Sequence, residues 1–148
     1  MPADNPTPTP GAGKGVLLCI DDAVPVLEVL AFVLEECGYS VLVSPNARHG
    51  LTLFQAEPVD LVILDHEMPE MSGYEVALEM RRLKPGVPII INSASAKVPA
   101  EALNVVDAIV MKGTSYRPLV SKVDQQMAAS RTESRRQANQ GTGSALGN

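Results

Sequence analysis

Polar side chains that can bind a metal ion or attack an electrophile follow the short apolar runs of this sequence. Such runs are too short for helices and are typical of buried strands. Four of them are followed by residues of this kind, namely Asp21 and Asp22 after 16–20, Asp65 after 59–64, Asn92 and Ser93 after 87–91, and Lys112 after 108–111. If these strands belong to one sheet, residues that are distant in the chain form a single polar site.

The three carboxylates suggest a metal site. Carboxylates that lie close together repel one another, so such a site takes up protons or binds a hard cation. A ligand set of Asp21, Asp22 and Asp65, made of oxygen atoms, favours Mg²⁺ or Mn²⁺ over Zn²⁺. The structural alternative is that an aspartate caps the next helix, as Asp22 could for a helix that begins near Pro25. Two adjacent aspartates with a third from another strand favour the metal site.

Amphipathic stretches with helical spacing alternate with the apolar runs. Gly38 is a natural stop for the first helix, whereas Asn46 and Ser72 can cap the second and third. The pattern predicts strands at 16–20, 39–43, 59–64, 87–91 and 108–111, and helices at 26–37, 46–57, 72–83, about 99–105, and 116–127.

The order βαβαβαβαβα predicts an α/β fold. Strands that are apolar on both faces and joined by helices form a parallel sheet with helices on both faces. Right-handed crossovers then leave a doubly wound five-stranded sheet as the leading topology. Ligands bind at the carboxyl ends of the strands in such sheets, which is where the polar residues fall.

Composition limits the other possibilities. The 148 residues leave room for one domain, predicted at 16–129, between segments 1–15 and 130–148 that we expect to be disordered. A net charge of −5 argues against nucleic acid as a partner, and no apolar run suits a membrane span or secretory signal. Cys19 and Cys37 lie in apolar contexts, so we expect them to be buried and reduced in the cytoplasm.

The sequence resembles the receiver domain of two-component response regulators over residues 16–129. The motifs that carry the resemblance are LLCIDD, LVILDHEMPEMSG, PIIINSA and VMK. The DxxMPxMxG string is specific for this family. The resemblance is stronger because the acidic pair, the Ser-Ala step and the lysine are present as well. The resemblance implies a flavodoxin-like strand order 2-1-3-4-5 and a phosphorelay signalling protein.

The resemblance also implies a role for each site residue. Asp65 would accept a phosphoryl group from a phosphohistidine, while Lys112 and Ser93 would each contact a phosphoryl oxygen. Asp22, Asp65 and the backbone carbonyl of Glu67 would bind Mg²⁺ or Mn²⁺, with Asp21 acting directly or through water. The side chains of Glu67, Ser95 and Ile109 would modulate the reaction or its readout.

Several positions depart from the family pattern. Lys112 precedes glycine where the family usually has proline after a cis peptide, so a cis bond is not expected. Ile109 replaces a common aromatic residue, which excludes an aromatic flip as the readout. Ser93 and Lys112 are close in sequence, so the fourth helix should be short or irregular. His66 is interpreted as a surface loop residue.

The resemblance favours a single-domain response regulator that is not an enzyme beyond its own phosphorylation and dephosphorylation. Its expected partners are a histidine kinase or histidine phosphotransfer protein, an output protein, and a second copy through the fourth helix, fifth strand and fifth helix. One alternative is an Asp-nucleophile phosphatase of the haloacid-dehalogenase type, although Glu67 stands where that family needs a second aspartate. The other alternative is a non-phosphorylated binding module with the same fold.

Overall fold

Strands and helices alternate along the chain. The computed structural model describes the backbone of residues 13–146 and the side chains of residues 13–132. Within that range no helix is long and apolar enough to cross a membrane. The elements are β1 (Val16–Ile20), α1 (Val24–Glu36), β2 (Ser40–Ser44), α2 (Ala47–Ala56), β3 (Leu61–Leu64), α3 (Gly73–Leu83), β4 (Ile89–Ser93), a 3₁₀ helix (Ala100–Asn104), β5 (Ala108–Met111) and α4 (Arg117–Leu146).

The five strands of the described part form one parallel sheet in the order β2-β1-β3-β4-β5. Both faces of the sheet are covered by apolar side chains. Phe54, Val76 and Met80 from α2 and α3 pack on one face, and Leu27, Leu30 and Val123 from α1 and α4 pack on the other. The predicted doubly wound fold and strand order are confirmed.

Residues that the sequence marks as helix boundaries do begin or end three of the helices. The side chain of Asn46 accepts a hydrogen bond from the His49 N–H at 2.7 Å and caps α2. Ser72 and Glu75 form a reciprocal capping box at the start of α3. Gly38 follows α1 with a φ of 102°, a left-handed conformation that favours glycine. Asp22 does not cap α1, because the N-cap residue is Ala23.

Three strands differ from the sequence-based bounds. β2 is Ser40–Ser44 and β3 begins at Leu61. β4 is Ile89–Ser93, so Asn92 and Ser93 belong to the strand instead of following it. The reason is the register with β5, in which Ser93 is paired with Met111. Pairing between distant segments decides where a strand ends, and apolar patterning does not record it.

The fourth predicted helix is a 3₁₀ helix of five residues, as the short spacing between Ser93 and Lys112 indicated. Its Ala102 is fully buried, whereas Leu103 is 62% exposed. A single short turn therefore replaces a helix on this side of the sheet and leaves Leu103 facing solvent.

Hydrogen-bonded backbone structure extends beyond both ends of the predicted domain at 16–129. Residues 1–12 lie outside the described residues, but Lys14 already pairs with Gly38 through its N–H. At the other end α4 continues past Ala129 to Leu146. The polar composition after Ala129 suggested a tail, yet no proline follows Pro118 to interrupt the helical backbone.

Candidate functional site

Three aspartates converge at the carboxyl ends of β1 and β3. The two strands are neighbours, and Ile20 is paired with Leu64, so Asp21 and Asp65 leave the sheet side by side. One carboxylate oxygen from each of Asp21, Asp22 and Asp65 lies within 4.8 Å of the others. Asp21 and Asp65 are buried and Asp22 is exposed. The arrangement is an acidic pocket that is open to solvent on the Asp22 side.

Lys112 brings a positive charge to this pocket from the end of β5. Its Nζ lies 2.7 Å from Asp21 Oδ2 and 3.3 Å from Asp65 Oδ1. Lys112 and Asp21 are separated by 91 positions in the sequence. A single ammonium group therefore bridges two of the three carboxylates.

The pKa directions follow from this crowding. Burial raises the pKa of Asp65, the charges of Asp21 and Asp22 raise it further, and Lys112 only partly opposes them. For Lys112, burial lowers the pKa, but hydrogen bonds and charge interactions with Asp21 and Asp65 outweigh burial and raise it overall. The surroundings thus disfavour the charged form of Asp65 relative to a free aspartate and favour the protonated form of Lys112.

Asp21 and Asp22 differ in the hydrogen bonds that they make. Asp21 accepts from the Ala23 N–H at 2.9 Å as well as from Lys112, and its own N–H donates to the Ser44 carbonyl. The Asp22 side chain makes no hydrogen bond with another residue in the described range. Asp21 is therefore locked in place, whereas Asp22 is free to turn toward a cation.

Ser93 lies at the end of β4, next to β3 in the sheet, and is fully buried. Its hydroxyl donates to the Ser95 carbonyl at 3.0 Å and accepts from the Ser95 N–H at 3.1 Å. The Ser93 carbonyl accepts from the Lys112 N–H at 2.8 Å. The hydroxyl is thus held by its own loop and must leave the Ser95 carbonyl before it can donate elsewhere.

The loop after β3 surrounds Asp65 closely. The Gly73 N–H donates to the His66 carbonyl at 2.8 Å, and a Cβ atom at position 73 would lie 2.5 Å from the Asp65 carbonyl oxygen. Only glycine fits at this first position of α3 without displacing the backbone of Asp65. The glycine that ends the LVILDHEMPEMSG motif is the sequence signal for this close approach.

His66 corrects one sequence-based interpretation. Its place in the loop after β3 predicts a surface residue, yet it is 8% exposed and its Nδ1 atom is buried without a hydrogen-bond partner among the described residues. The hydrogen bond from the Gly73 N–H to the His66 carbonyl holds the backbone of His66 against the start of α3. Residue type alone does not show which side of a loop a histidine occupies.

The predicted modulating residues lie on the chain segments of β3, β4 and β5, which supply Asp65, Ser93 and Lys112. Glu67 is exposed two residues beyond Asp65. Ser95 forms the hydrogen bonds with Ser93 described above and accepts from the Lys97 N–H through its own hydroxyl. Ile109 is half-buried and packs against the apolar cluster on the α2 and α3 face. No peptide bond in the described residues is cis, which includes the bond between Lys112 and Gly113.

The donor set suits a hard divalent cation. Two buried carboxylates and one exposed carboxylate offer oxygen atoms at close range, and the two positive charges of such a cation would relieve their repulsion. Burial raises the pKa of Asp65 first, the charges of Asp21 and Asp22 raise it further, and Lys112 does not fully compensate, so a bound cation would favour the charged form of this carboxylate.

Comparisons with known proteins agree with this geometry. Residues 17–124 match the family model of the response regulator receiver domain. Over 83 residues the chain is 39% identical to the transcriptional regulatory protein GlrR of Escherichia coli strain K12, a match that covers 56% of this chain and 19% of GlrR. The chain thus corresponds to a small part of that longer relative.

Solved structures show the same similarity. The response regulator TrrA of Thermotoga maritima, crystallised in complex with Mg²⁺-BeF, is 34% identical with a TM-score of 0.72, and the match covers 75% of this chain and 97% of TrrA. TrrA was also crystallised in complex with the histidine kinase ThkA, and that copy is 35% identical with a TM-score of 0.70 over the same shares. With its fold, its acidic pocket and its matched residues taken together, the chain belongs to the response regulator receiver domain family.

Proposed function

We propose that Asp65 accepts a phosphoryl group from a phosphohistidine and that the chain signals through the resulting acyl phosphate. The observation that carries this proposal is the position of the Asp65 carboxylate, 3.3 Å from the Lys112 ammonium and beside two further carboxylates. An oxygen of Asp65 attacks phosphorus, the O–P bond forms as the N–P bond of the donor breaks, and the imidazole leaves. Positioning and charge compensation are the main requirements of such a transfer.

The remaining side chains stabilise the transferred group. Lys112 pairs with one phosphoryl oxygen as a point charge. To do so, its ammonium group gives up part of its contact with Asp65. Ser93 donates to a second oxygen after releasing the Ser95 carbonyl, so the loop that begins at Ser93 moves inward. This movement is the conformational switch. The loop has two arrangements, and the negative charge of the phosphoryl group on Asp65 favours the inward one.

The cation for this site is Mg²⁺, with Mn²⁺ as a substitute. Asp22, Asp65 and the backbone carbonyl of Glu67 bind it, and Asp21 takes part directly or through water. When bound, the cation offsets charge on the phosphoryl group during transfer. The freedom of Asp22 and the excess of negative charge at Asp65 support this assignment, as does the TrrA complex with Mg²⁺-BeF.

The proposed donor is a histidine kinase or a histidine phosphotransfer protein. The crystallised pairing of ThkA with TrrA, which resembles this chain, supports a donor of this class. The two free cysteines, Cys19 and Cys37, fit a reducing compartment such as the cytoplasm. The protein acts chemically on its own Asp65 alone, and its output runs through a protein partner. A homodimer through the 3₁₀ helix, β5 and α4 remains a prediction.

Labelling of Asp65 tests the proposal. The protein is incubated with Mg²⁺ and either radiolabelled acetyl phosphate or a phosphorylated histidine kinase, and acid- and alkali-labile phosphate is measured. Asp65→Asn should abolish labelling, whereas the matched variant Asp60→Asn at the opposite end of β3 should keep it. Labelling that persists in Asp65→Asn contradicts the assignment of the acceptor. Absence of labelling in the unmodified protein favours a binding module, and steady turnover of a small phosphate ester favours a phosphatase.

A further inference from the structure

An open groove with apolar and polar walls runs between α1 and α4, on the sheet face opposite α2 and α3. Its volume is about 590 Å³, and its walls include Val33 and Cys37 from α1 and Tyr116, Val120 and Asp124 at α4. Ser115, Arg117 and Ser121 complete its lining. Val29 and Phe32 of α1 are large apolar side chains that are 49% and 63% exposed. Apolar surface of this kind marks a binding site more often than chance exposure does.

The chain enters the fold at one end of this groove. The Lys14 N–H donates to the Gly38 carbonyl at 2.9 Å, one residue beyond Cys37. The Lys14 carbonyl accepts from Arg131 Nη2 at 2.7 Å, so the chain passes between the end of α1 and α4. Beside it the Tyr39 hydroxyl donates to Asp124, a residue of the groove wall, at 2.5 Å. The segment that precedes Gly13 therefore starts at the mouth of the groove.

The sequence of that segment fits the groove in length and chemistry. Residues 6–10 read Pro-Thr-Pro-Thr-Pro and are followed by Gly11, Ala12 and Gly13. Alternating prolines favour an extended polyproline II helix of ~3.1 Å per residue, so five residues span roughly 15 Å. The groove extends along α4 from Tyr116 to Asp124, which is about 12 Å at ~1.5 Å rise per residue. Gly11, Ala12 and Gly13 are enough to connect residues 6–10 in the groove with Lys14 at its mouth.

We propose that residues 6–10 bind in the groove between α1 and α4 as an intramolecular ligand. Proline rings are apolar and have no N–H, so they can pack against Val33 and Val120 without burying an unpaired donor. Aromatic side chains such as that of Tyr116 are the usual contacts of proline-rich segments in grooves. A protein partner that docks on this apolar face must first displace the segment, so binding of that partner is weaker than it would be to the bare groove.

Cys37 is a built-in reporter for this contact. It lines the groove and is partly exposed, whereas Cys19 is fully buried and burial raises the pKa of its thiol. N-ethylmaleimide should therefore modify only Cys37 in the folded protein, and mass spectrometry identifies the modified residue. Deletion of residues 2–12 should speed this modification by roughly five- to tenfold, because a short tether keeps the segment at an effective concentration near millimolar.

Length-matched variants separate the proline contacts from simple removal of the chain. The triple change Pro6→Ala, Pro8→Ala and Pro10→Ala should speed modification of Cys37 nearly as much as the deletion does. Pro2→Ala lies outside the segment and should leave the rate unchanged. Circular dichroism confirms that each variant has the unmodified protein's fold and melting temperature.

Two outcomes would overturn the proposal. Equal modification rates in the full chain, the deletion variant and the triple variant would show that residues 6–10 do not occupy the groove. Protection of Cys37 that survives the deletion and grows with protein concentration would show that a second copy of the chain occupies it instead.

Discussion

At the scale of single residues, the site is a balance of charges that favours the addition of a cation. Asp65 carries a carboxylate whose pKa is raised first by burial and then by Asp21, with Lys112 only partly opposing. Lys112 is shared with Asp21, which holds it at the shorter distance of 2.7 Å. The close, buried carboxylates therefore lower the stability of the folded state, as is common in functional sites.

Asp65→Asn should stabilise the protein when no metal is present. The folded state holds the Asp65 proton more tightly than the unfolded state, so stability falls as pH rises from the ordinary value of 3.8 through the raised pKa. Asparagine cannot ionise and escapes this loss. In EDTA at pH 7 we expect a melting temperature higher by roughly 2–6 °C, the shift that about 1 kcal/mol gives in a domain of this size.

The difference in melting temperature between Asp65→Asn and the unmodified protein should shrink as the pH is lowered through the raised pKa to below 3.8, where Asp65 becomes protonated in both its folded and unfolded states. Thermal melts in EDTA across this pH range measure it. An Asn variant that melts lower than the unmodified protein at pH 7 would show that Asp65 is not strained.

Glu67→Ala should shorten the lifetime of the phosphorylated state. The Glu67 side chain is exposed two residues beyond Asp65, where it can lie across the approach of water to phosphorus and disfavour a developing anion. Its removal should increase the decay rate severalfold, and decay of labelled protein after removal of the donor measures this. Glu67→Gln keeps the size without the charge and separates the two effects. Slower decay in Glu67→Ala would instead make Glu67 a base that assists hydrolysis.

At the scale of elements, the ends of β1, β3, β4 and β5 each deliver one part of the site, and short-range packing holds each part in place. The start of α3 is the tightest example, because Gly73 touches the backbone of Asp65. The 3₁₀ helix is the loosest, since only Ala102 of this turn is fully buried. Sequence changes in the 3₁₀ helix can therefore be accepted without disturbing the acidic pocket.

Gly73→Ala should destabilise the fold and impair the site together. Its Cβ would lie 2.5 Å from the Asp65 carbonyl oxygen and 2.9 Å from the His66 Cα. Overpacking of this kind costs about 1–3 kcal/mol, and the backbone shift should reduce phosphorylation of Asp65 as well. Gly86→Ala is the matched control, because nothing lies within 4 Å of its added Cβ. Urea unfolding and phosphate labelling of both variants test this, and equal behaviour of the two would contradict it.

At the scale of the whole molecule, cation binding should couple to folding through mass action. The three carboxylates come together only in the folded chain, so Mg²⁺ that binds them stabilises the native state. At 100 times its dissociation constant the gain is ~2.7 kcal/mol, or several degrees in melting temperature. Asp22→Asn should remove most of this gain while leaving the melting temperature in EDTA nearly unchanged, because Asp22 is exposed. Identical Mg²⁺ responses in the two proteins would exclude Asp22 as a ligand.

Much of the fold and most of the site's membership could be predicted from the sequence, because both rest on local signals. Apolar runs and helical spacing indicated the alternating elements, and the side chains of Asn46 and Ser72 do cap helices. Asp21, Asp22, Asp65 and Lys112 follow strands whose ends meet at one edge in any parallel sheet, so their convergence required only the fold class.

Tertiary structure alone decided how these groups are connected. The shorter contact of Lys112 with Asp21 and the burial of His66 depend on distances between segments that the sequence does not encode locally. The same holds for β4, whose end at Ser93 comes from its register with β5. The sequence pattern indicates whether a residue prefers a buried or an exposed environment. Its hydrogen-bond partners are decided only in the folded chain, where several donors and acceptors lie within reach.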